Sequence, residues 1–192
     1  MLDGAAKIVD YLKKVKELNQ PAAAITDHGN LYGAMEFVQK ANDYGIKPII
    51  GYEAYITPGS RFDRPDRENN KRYHLTLLAE NNIGYQNLVE LVSKAYTEGY
   101  YYKPRIDYEL LDQHHDGLIA LSGCLGGELA QHLAPDGSVE EGNTSNERSF
   151  EKALDIAKKY QSIFGKENYF IEIHNHGICL LYTSDAADDS LR

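Results

Sequence analysis

Three short apolar runs of this sequence each lead into side chains that can bind a metal ion. The run 22–25 is followed by Asp27 and His28, the run 48–50 by Glu53, and the run 118–121 by Cys124. Short apolar runs are typical of buried strands, and the carboxyl ends of parallel strands meet at one edge of a sheet or barrel. We therefore expect the residues that end the three runs to share one site.

The chemistry of these side chains is that of a divalent metal site. Imidazole, carboxylate and thiolate groups hold divalent ions, and a hydrolytic site also leaves a position open for water. The mixed set of ligands favours Zn2+ or Mn2+ over Mg2+. Asp3 and His74 complete the candidates, although His74 begins its apolar run instead of ending it.

Each candidate also has an ordinary structural interpretation. Asp3 could only cap the first helix, and the Gly-Asn that follows His28 favours a turn or helix-cap role for Asp27 over direct ligation. Glu53 could be a paired carboxylate in a core, His28 a loop histidine and Cys124 a small buried hydrophobe. Only the combination of these residues indicates a site.

The other histidines give weaker signals. His114 and His115 lie in a polar segment typical of a solvated helix end, and His132 lies in an ordinary helical pattern. His174 and His176 form an alternating pair that could bind a metal ion or simply occupy a turn. The sequence leaves both interpretations of this last pair open.

A basic and aromatic segment, Tyr100-Tyr101-Tyr102-Lys103-Pro104-Arg105, is expected to be irregular. Its tyrosines could stack bases while Lys103 and Arg105 bind phosphate, which makes these two residues candidates for nucleic-acid binding. A packed aromatic loop is the alternative interpretation. The net charge of −9 argues against a nucleic-acid-binding surface on this chain alone, because phosphate binding needs clustered Lys and Arg.

Size and composition indicate one domain with a core of its own. The chain has 192 residues, 42% of them hydrophobic, and no apolar run long enough to cross a bilayer. No signal-peptide pattern stands at its start. Two cysteines, Cys124 and Cys179, are too few for a disulfide framework, which favours a reducing compartment and a cytoplasmic protein without membrane association.

Helix and strand patterns alternate along the chain. Apolar spacing predicts helices at 4–18, 31–44 (ended by Gly45), 84–97, 108–113, 125–133 and 146–164, and strands at 22–26, 47–56, 74–79, 118–122 and 168–173. The polar segment 57–71 is expected to be a surface loop. Strands separated mostly by helices predict parallel βα units, hence an α/β sheet or an incomplete barrel.

The last fourteen residues, 179–192, depart from this pattern. They show no continuing periodicity and resemble a translated sequencing-library adapter, so we predict a non-native tail there. An ordinary disordered tail is the alternative interpretation. The domain is accordingly predicted at residues 1–178.

An ordered series of motifs resembles the PHP (polymerase and histidinol phosphatase) domain family, in the form found in bacterial replicative DNA polymerase III alpha subunits. The motifs are Leu2-Asp3-Gly4-Ala5, Ala24-Ile25-Thr26-Asp27-His28-Gly29-Asn30, Lys47-Pro48-Ile49-Ile50-Gly51-Tyr52-Glu53, Tyr73-His74-Leu75, Tyr102-Lys103-Pro104-Arg105, Ser122-Gly123-Cys124 and Phe170-Ile171-Glu172-Ile173-His174-Asn175-His176-Gly177. The resemblance spans residues 1–178, and the Tyr-Lys-Pro-Arg segment favours the alpha-subunit form over stand-alone PHP phosphatases.

The resemblance implies a distorted (βα)7 barrel whose metal ligands converge at one mouth. Matched motif by motif, the family's metal positions fall on Asp3, His28, Glu53, His74 and Cys124. Asp27 and His176 match the motifs without being the usual ligands. The resemblance thus implies a place in the site for both His74 and Cys124.

Two departures from the family pattern concern the ends of the barrel. The family's opening His-x-His pair would precede Leu2, and its closing Asp-x-His pair would follow Ile178. We therefore expect an incomplete barrel that lacks its first strand and its last units, with an open edge where the first strand would pair.

The function implied by the resemblance is that of a fragment of a DNA-directed DNA polymerase of bacterial chromosome replication, which uses Mg2+. Its PHP domain would be a metal-dependent 3′–5′ exonuclease or a docking platform for a proofreading subunit. DNA, the proofreading exonuclease and the sliding clamp would be partners of the whole protein. The isolated chain is expected to be inactive, and a stand-alone phosphoesterase of the histidinol-phosphatase type is the alternative.

Overall fold

A computed structural model of the chain describes residues 6–133 and 145–173, the latter with side chains from residue 149 onward. Its helices are α1 Ile8–Glu17, α2 Ala34–Tyr44, α3 Asn82–Thr97, α4 Tyr108–Gln113, α5 Glu128–Leu133 and α6 Ser145–Phe164. Its strands are β1 Ala22–His28, β2 Lys47–Ile56, β3 Tyr73–Ala79, β4 Arg105–Ile106, β5 Leu118–Leu121 and β6 Tyr169–Phe170. Asp3, His174, His176 and the segment 179–192 lie outside the described residues.

The six strands form one mixed sheet in the order β1-β2-β3-β5-β6, with β4 paired to the end of β2. Strand β2 is parallel to β1 and β4, and β5 is parallel to β6, whereas β3 is antiparallel to both β2 and β5. The prediction of parallel units throughout is therefore wrong for β3. The loop 57–72 joins β2 to β3 without a crossover helix, and the chain consequently reverses beside β2.

Two apolar clusters hold the helices to the sheet. The smaller cluster joins α1, β1 and α2 through buried side chains at helical spacing: Leu12, Val15, Phe37 and Ala41, with Ile46. The larger cluster packs alternate residues of the central strands against α3, α4 and α6, among them Tyr52, Ala54, Leu75, Leu77, Leu88, Leu91 and Tyr160. The alternation leaves the intervening residues of β2 and β3 on the opposite face of the sheet.

The helix ends follow the local sequence. Gly45 ends α2 in the left-handed conformation with φ +70°, as predicted. Asn81 and Asp107 cap α3 and α4 by accepting hydrogen bonds from the first-turn N–H groups. The helix predicted from residue 4 begins at Ile8, directly after Lys7, and Asp3 lies outside the described residues.

Other predicted element boundaries also change. The helix predicted from residue 31 begins at Ala34, because residues 29–33 turn the chain between β1 and α2. The strand predicted at 168–173 is reduced to Tyr169–Phe170, which pairs with the end of β5. Across the described parts of the chain, no helix combines the length and apolar character that spanning a bilayer requires.

Candidate metal centre

Glu53, His74 and Cys124 bring three different ligand atoms to one point. Nδ1 of His74 lies 2.7 Å from Oε1 of Glu53 and 3.4 Å from Sγ of Cys124. A carboxylate oxygen, an imidazole nitrogen and the sulfur all lie within 4.8 Å of one another. Nδ1 of His28 contacts the second carboxylate oxygen of Glu53, so both oxygens of this carboxylate face a histidine.

The strand register explains this convergence. His28 and Glu53 are direct partners in the parallel pairing of β1 with β2. In the antiparallel pairing of β2 with β3, Glu53 lies opposite Thr76 and His74 lies opposite Tyr55. Residues two apart on a strand share a face, so Glu53 and His74 are diagonal neighbours on the same face.

The reversed direction of β3 accounts for the position of His74. In a parallel sheet, a residue near the start of a strand would lie at the edge opposite to the ends of β1 and β2. Because β3 runs antiparallel, its start lies beside the end of β2, which places His74 next to Glu53. His74 thus fits the site for a reason that the apolar pattern alone does not show.

A tight loop, residues 122–127, carries Cys124 to His74. The Gly126 N–H donates to Sγ of Cys124 at 3.4 Å, and its carbonyl accepts from the His74 N–H at 2.9 Å. A Cβ on Gly126 would lie 2.9 Å from Nδ1 of His74, so this close approach requires glycine. The loop and the imidazole are therefore packed directly against each other.

A buried carboxylate anchors the end of this loop. Glu128 begins α5 and is 6% exposed, and its Oε2 accepts hydrogen bonds from the hydroxyls of Tyr108 and Tyr160, the latter at 2.9 Å. A buried carboxylate is tolerated when such donors satisfy it. The contact fixes the start of α5, and hence the loop that carries Cys124, against α4 and α6.

The charges of His74 and Cys124 depend on each other. The hydrogen bond to Cys124, followed by the one to Glu53, raises the pKa of His74 to about 9. The same contact with His74 lowers the pKa of the Cys124 thiol. Because its pKa lies above neutral pH, His74 favours the cationic imidazolium form beside Glu53 and Cys124.

Asp27 lies beside the centre but has a turn-forming contact. Its Oδ2 accepts a hydrogen bond of 2.8 Å from the N–H of Gly33, the residue that precedes α2. A Cβ on Gly33 would lie 2.8 Å from the same oxygen. This geometry fits the turn role that the sequence favours for Asp27, which is outside the group of converging ligand atoms.

A cavity of about 440 Å3 adjoins the centre and reveals a carboxylate that the sequence analysis did not single out. Asp27, His28, Glu53, Cys124 and Glu172 line it. The backbone N–H of Glu172 donates to Oγ of Ser122 at 2.9 Å, which fixes the segment after β6. The signal was present, since Glu172 follows a short apolar strand as the other candidates do. A second cavity of about 530 Å3 lies between α2 and α3, away from these residues.

The two predicted nucleic-acid-binding residues have different environments. Lys103 is exposed, and its ammonium lies 5.4 Å from the Tyr55 ring centroid. Arg105 is fully buried and donates hydrogen bonds of 2.7 to 3.1 Å to the carbonyls of Gly99, Arg61 and Asp63. These contacts support a structural role for Arg105, whereas Lys103 is the exposed member of the predicted pair.

The remaining described histidines have ordinary contacts. His114 lies 3.4 Å from Oδ1 of Asn87, and His115 lies 2.7 Å from the Asp112 carbonyl. His132 packs against Tyr73. Within residues 6–133 and 145–173, none of the three joins a group of converging metal-ligand atoms.

Known proteins resemble this chain over nearly its whole length. The PHP domain family model matches residues 1–176. The chain is 52% identical to DNA polymerase III subunit alpha of Thermus aquaticus over 186 residues, 50% identical to that of Deinococcus radiodurans and 48% identical to that of Treponema pallidum. Each alignment covers 93% of this chain but only 13–14% of the relative. The chain belongs to the PHP domain family.

Proposed function

We propose that this chain is a fragment of a DNA polymerase III alpha subunit, and that its PHP domain binds divalent metal ions at Glu53, His74 and Cys124, with His28 beside them. Identities of 48–52% to alpha subunits from three bacteria support the first part. Mg2+-dependent DNA polymerase activity, DNA and the other replicase subunits as partners, and a cytoplasmic location belong to this proposal for the whole protein.

The single observation that carries the metal site is the convergence of three ligand atoms within 4.8 Å. Imidazole nitrogen, carboxylate oxygen and thiolate sulfur are all ligands of Zn2+, and the nitrogen and oxygen also suit Mn2+. The residues present therefore fit such an ion. Asp3 and His176, outside the described residues, are included in the proposal on their family motifs alone.

In this proposal each residue has a distinct part. Glu53 uses both carboxylate oxygens to orient His28 and His74, while Cys124 contributes a thiolate from the loop after β5. Asp27 holds the turn that follows His28. A divalent ion held there supplies the Lewis acid for phosphodiester hydrolysis, which fits a 3′–5′ exonuclease.

The barrel is the finer part of the fold proposal. The described sheet ends at β1 on one side and at β6 on the other, which supports an incomplete (βα)7 barrel that lacks its first strand and last units. We propose that residues 1–178 form this partial domain and that 179–192 are a non-native tail. We propose that the isolated chain is inactive and that its PHP domain serves the whole protein as a nuclease or as a platform for the proofreading subunit.

Metal analysis of the purified chain tests the site. After treatment with chelator and dialysis against Zn2+ or Mn2+, we expect stoichiometric retention of metal by the wild type and loss of retention in Glu53→Gln and Cys124→Ser. Equal metal content in wild type and both variants would refute the site.

Incubation with Mn2+ or Zn2+ and a labelled primer tests inactivity. We expect no release of mononucleotides from the isolated chain, whereas steady release would contradict the proposal that the fragment is inactive. Hydrolysis of histidinol phosphate by the chain would instead support the alternative, a stand-alone phosphoesterase.

A further inference from the structure

A cluster of exposed tyrosines lies close to the candidate metal centre. Four tyrosines are exposed: Tyr32 (79%), Tyr96 (38%), Tyr100 (54%) and Tyr102 (66%). Tyr96 and Tyr100 stack with ring centroids 6.0 Å apart, and the phenol of Tyr32 lies close enough to Tyr96 to help raise the pKa of Tyr96 to about 12. These four tyrosines together with Lys103 are called the tyrosine surface below.

One aromatic ring connects the tyrosine surface to the metal centre. The Lys103 ammonium lies 5.4 Å from the centroid of Tyr55, and the Tyr55 ring meets His74 edge-on at 5.3 Å. A Cβ on Gly29 would lie 2.9 Å from Tyr55 and 3.0 Å from Pro104, so the two segments pack closely. Only the width of a tyrosine ring thus separates Lys103 from a candidate ligand.

Tyr102 is held in a backbone conformation that disfavours its side chain. Its φ is +61°, in the left-handed region that glycine and asparagine adopt most easily. The turn is closed by the hydrogen bond from the Tyr101 N–H to the Lys103 carbonyl. A large aromatic residue that is strained and also 66% exposed is poorly explained by stability alone, and such strain concentrates at functional sites.

The charge around this surface differs from that of the chain as a whole. Segments 57–72 and 99–106 together contain seven Lys and Arg but only three Asp and Glu, in a chain of net charge −9. Arg61 and Arg105 are buried, which leaves more exposed cations than anions. Glu98 nearby is neutralised by Arg61 at 2.6 Å and Lys94 at 3.6 Å. This local excess of positive charge complements a polyanion.

We propose that the tyrosine surface binds single-stranded nucleic acid, with bases stacked on its exposed rings and a phosphate at Lys103, and that it directs the end of the strand to the metal centre. Exposed rings can stack only on unpaired bases, since the bases of a duplex already stack on each other. The part of this proposal in which the end of the nucleic acid reaches the metal centre rests on the proposed function. Binding to the tyrosine surface itself requires no metal.

The strained tyrosine offers the sharpest test. The full chain is titrated against a fluorescein-labelled oligo-dT in EDTA and followed by anisotropy. Tyr102→Asn should weaken binding about fivefold or more, because one stacking ring is lost, while the melting temperature stays equal or rises as the backbone strain is relieved. Tyr100→Ala, at a position without strain, should weaken binding by a similar factor.

Matched controls separate the surface from general effects. Tyr85 lies at the opposite end of the same helix as Tyr96 and is 37% exposed, so Tyr85→Ala should leave the affinity unchanged. Lys103→Ala should reduce the slope of the logarithm of the binding constant against the logarithm of the salt concentration by about one, the value for one lost phosphate contact. Lys13→Ala makes the same change in charge and should leave this slope unchanged.

The outcomes distinguish this inference from the metal site. Unchanged affinity in both Tyr102→Asn and Tyr100→Ala, with folded proteins, would overturn the inference, as would equal affinity for duplex and single-stranded DNA. If Glu53→Gln binds oligo-dT as the wild type does and both proteins retain metal equally, the proposed metal site is refuted, whereas binding at the tyrosine surface is supported. The opposite pattern, metal retention without oligo-dT binding by the wild type, refutes only the surface.

Discussion

Glu53 and His74 lie on antiparallel strands and are offset by two positions, yet Oε1 of Glu53 is 2.7 Å from Nδ1 of His74. The diagonal contact leaves Oε2 free to meet His28 on the other neighbouring strand. A single carboxylate on β2 thereby ties together the histidines of β1 and β3. Removal of its charge should consequently disturb both histidines at once.

Glu53→Gln should weaken Zn2+ or Mn2+ binding by about 100-fold, because it removes a ligand and the partner of two histidines while preserving the size of the side chain. Isothermal titration calorimetry measures the effect. Glu80→Gln, an exposed carboxylate at the far end of β3, serves as the control and should bind metal as the wild type does. Equal affinities in the two variants would argue against Glu53 as a ligand.

Cys124 should react readily with iodoacetamide in the metal-free chain at neutral pH. Its lowered pKa raises the fraction of thiolate, which is the reactive form. Zn2+ should slow the reaction at Cys124, and His74→Asn should slow it without metal, because the hydrogen bond that lowers the pKa is lost. Peptide mass spectrometry separates Cys124 from Cys179. Modification of Cys124 at a rate insensitive to both changes would contradict this prediction.

Gly126→Ala should impair metal binding more than it impairs folding. The added Cβ would lie 2.9 Å from Nδ1 of His74, which forces the loop that carries Cys124 away from the imidazole. Metal affinity and urea denaturation are compared with those of Leu125→Ala, a change at a 39% exposed neighbour in the same loop. We expect a loss of affinity of about tenfold or more for Gly126→Ala alone.

Arg105→Lys should destabilise the fold by about 2–4 kcal/mol, since a buried lysine cannot reproduce the guanidinium contacts with three carbonyls. Urea denaturation measures the free energy of unfolding. Arg67→Lys, at an exposed position of the loop 57–72, should change it by less than about 0.5 kcal/mol. Similar stability of the two variants would show that Arg105 is not structurally important.

The sequence predicts the part of the site that depends on strand ends. His28 and Glu53 close two apolar runs, and the strands β1 and β2 are indeed parallel, so the two residues meet as partners. His74 does not follow this rule, because an apolar run gives no information on the direction of its strand. Only the absence of a helix in the loop 57–72 indicates that β3 reverses.

Two other residues show that the environment of a side chain is harder to predict from the sequence than the positions of strands and helices. Arg105 belongs to a basic, aromatic segment that looks exposed, but tertiary packing encloses its guanidinium among carbonyls of the 57–72 loop and of Gly99. Glu172 falls within the strand predicted at 168–173, but β6 ends at Phe170, and the apolar pattern does not show that Glu172 lines the cavity beside the metal centre. In both cases contacts between distant segments decide the environment.

The reversal of β3 also has a consequence for the order of folding. Glu53 and His74 belong to strands joined by one loop, whereas Cys124 is 50 residues away from His74. Contacts between near segments close smaller loops and form sooner than contacts between distant ones. During refolding we expect the carboxylate of Glu53 and the imidazole of His74 to come together first. The thiol of Cys124 should join them last and complete the set of ligands.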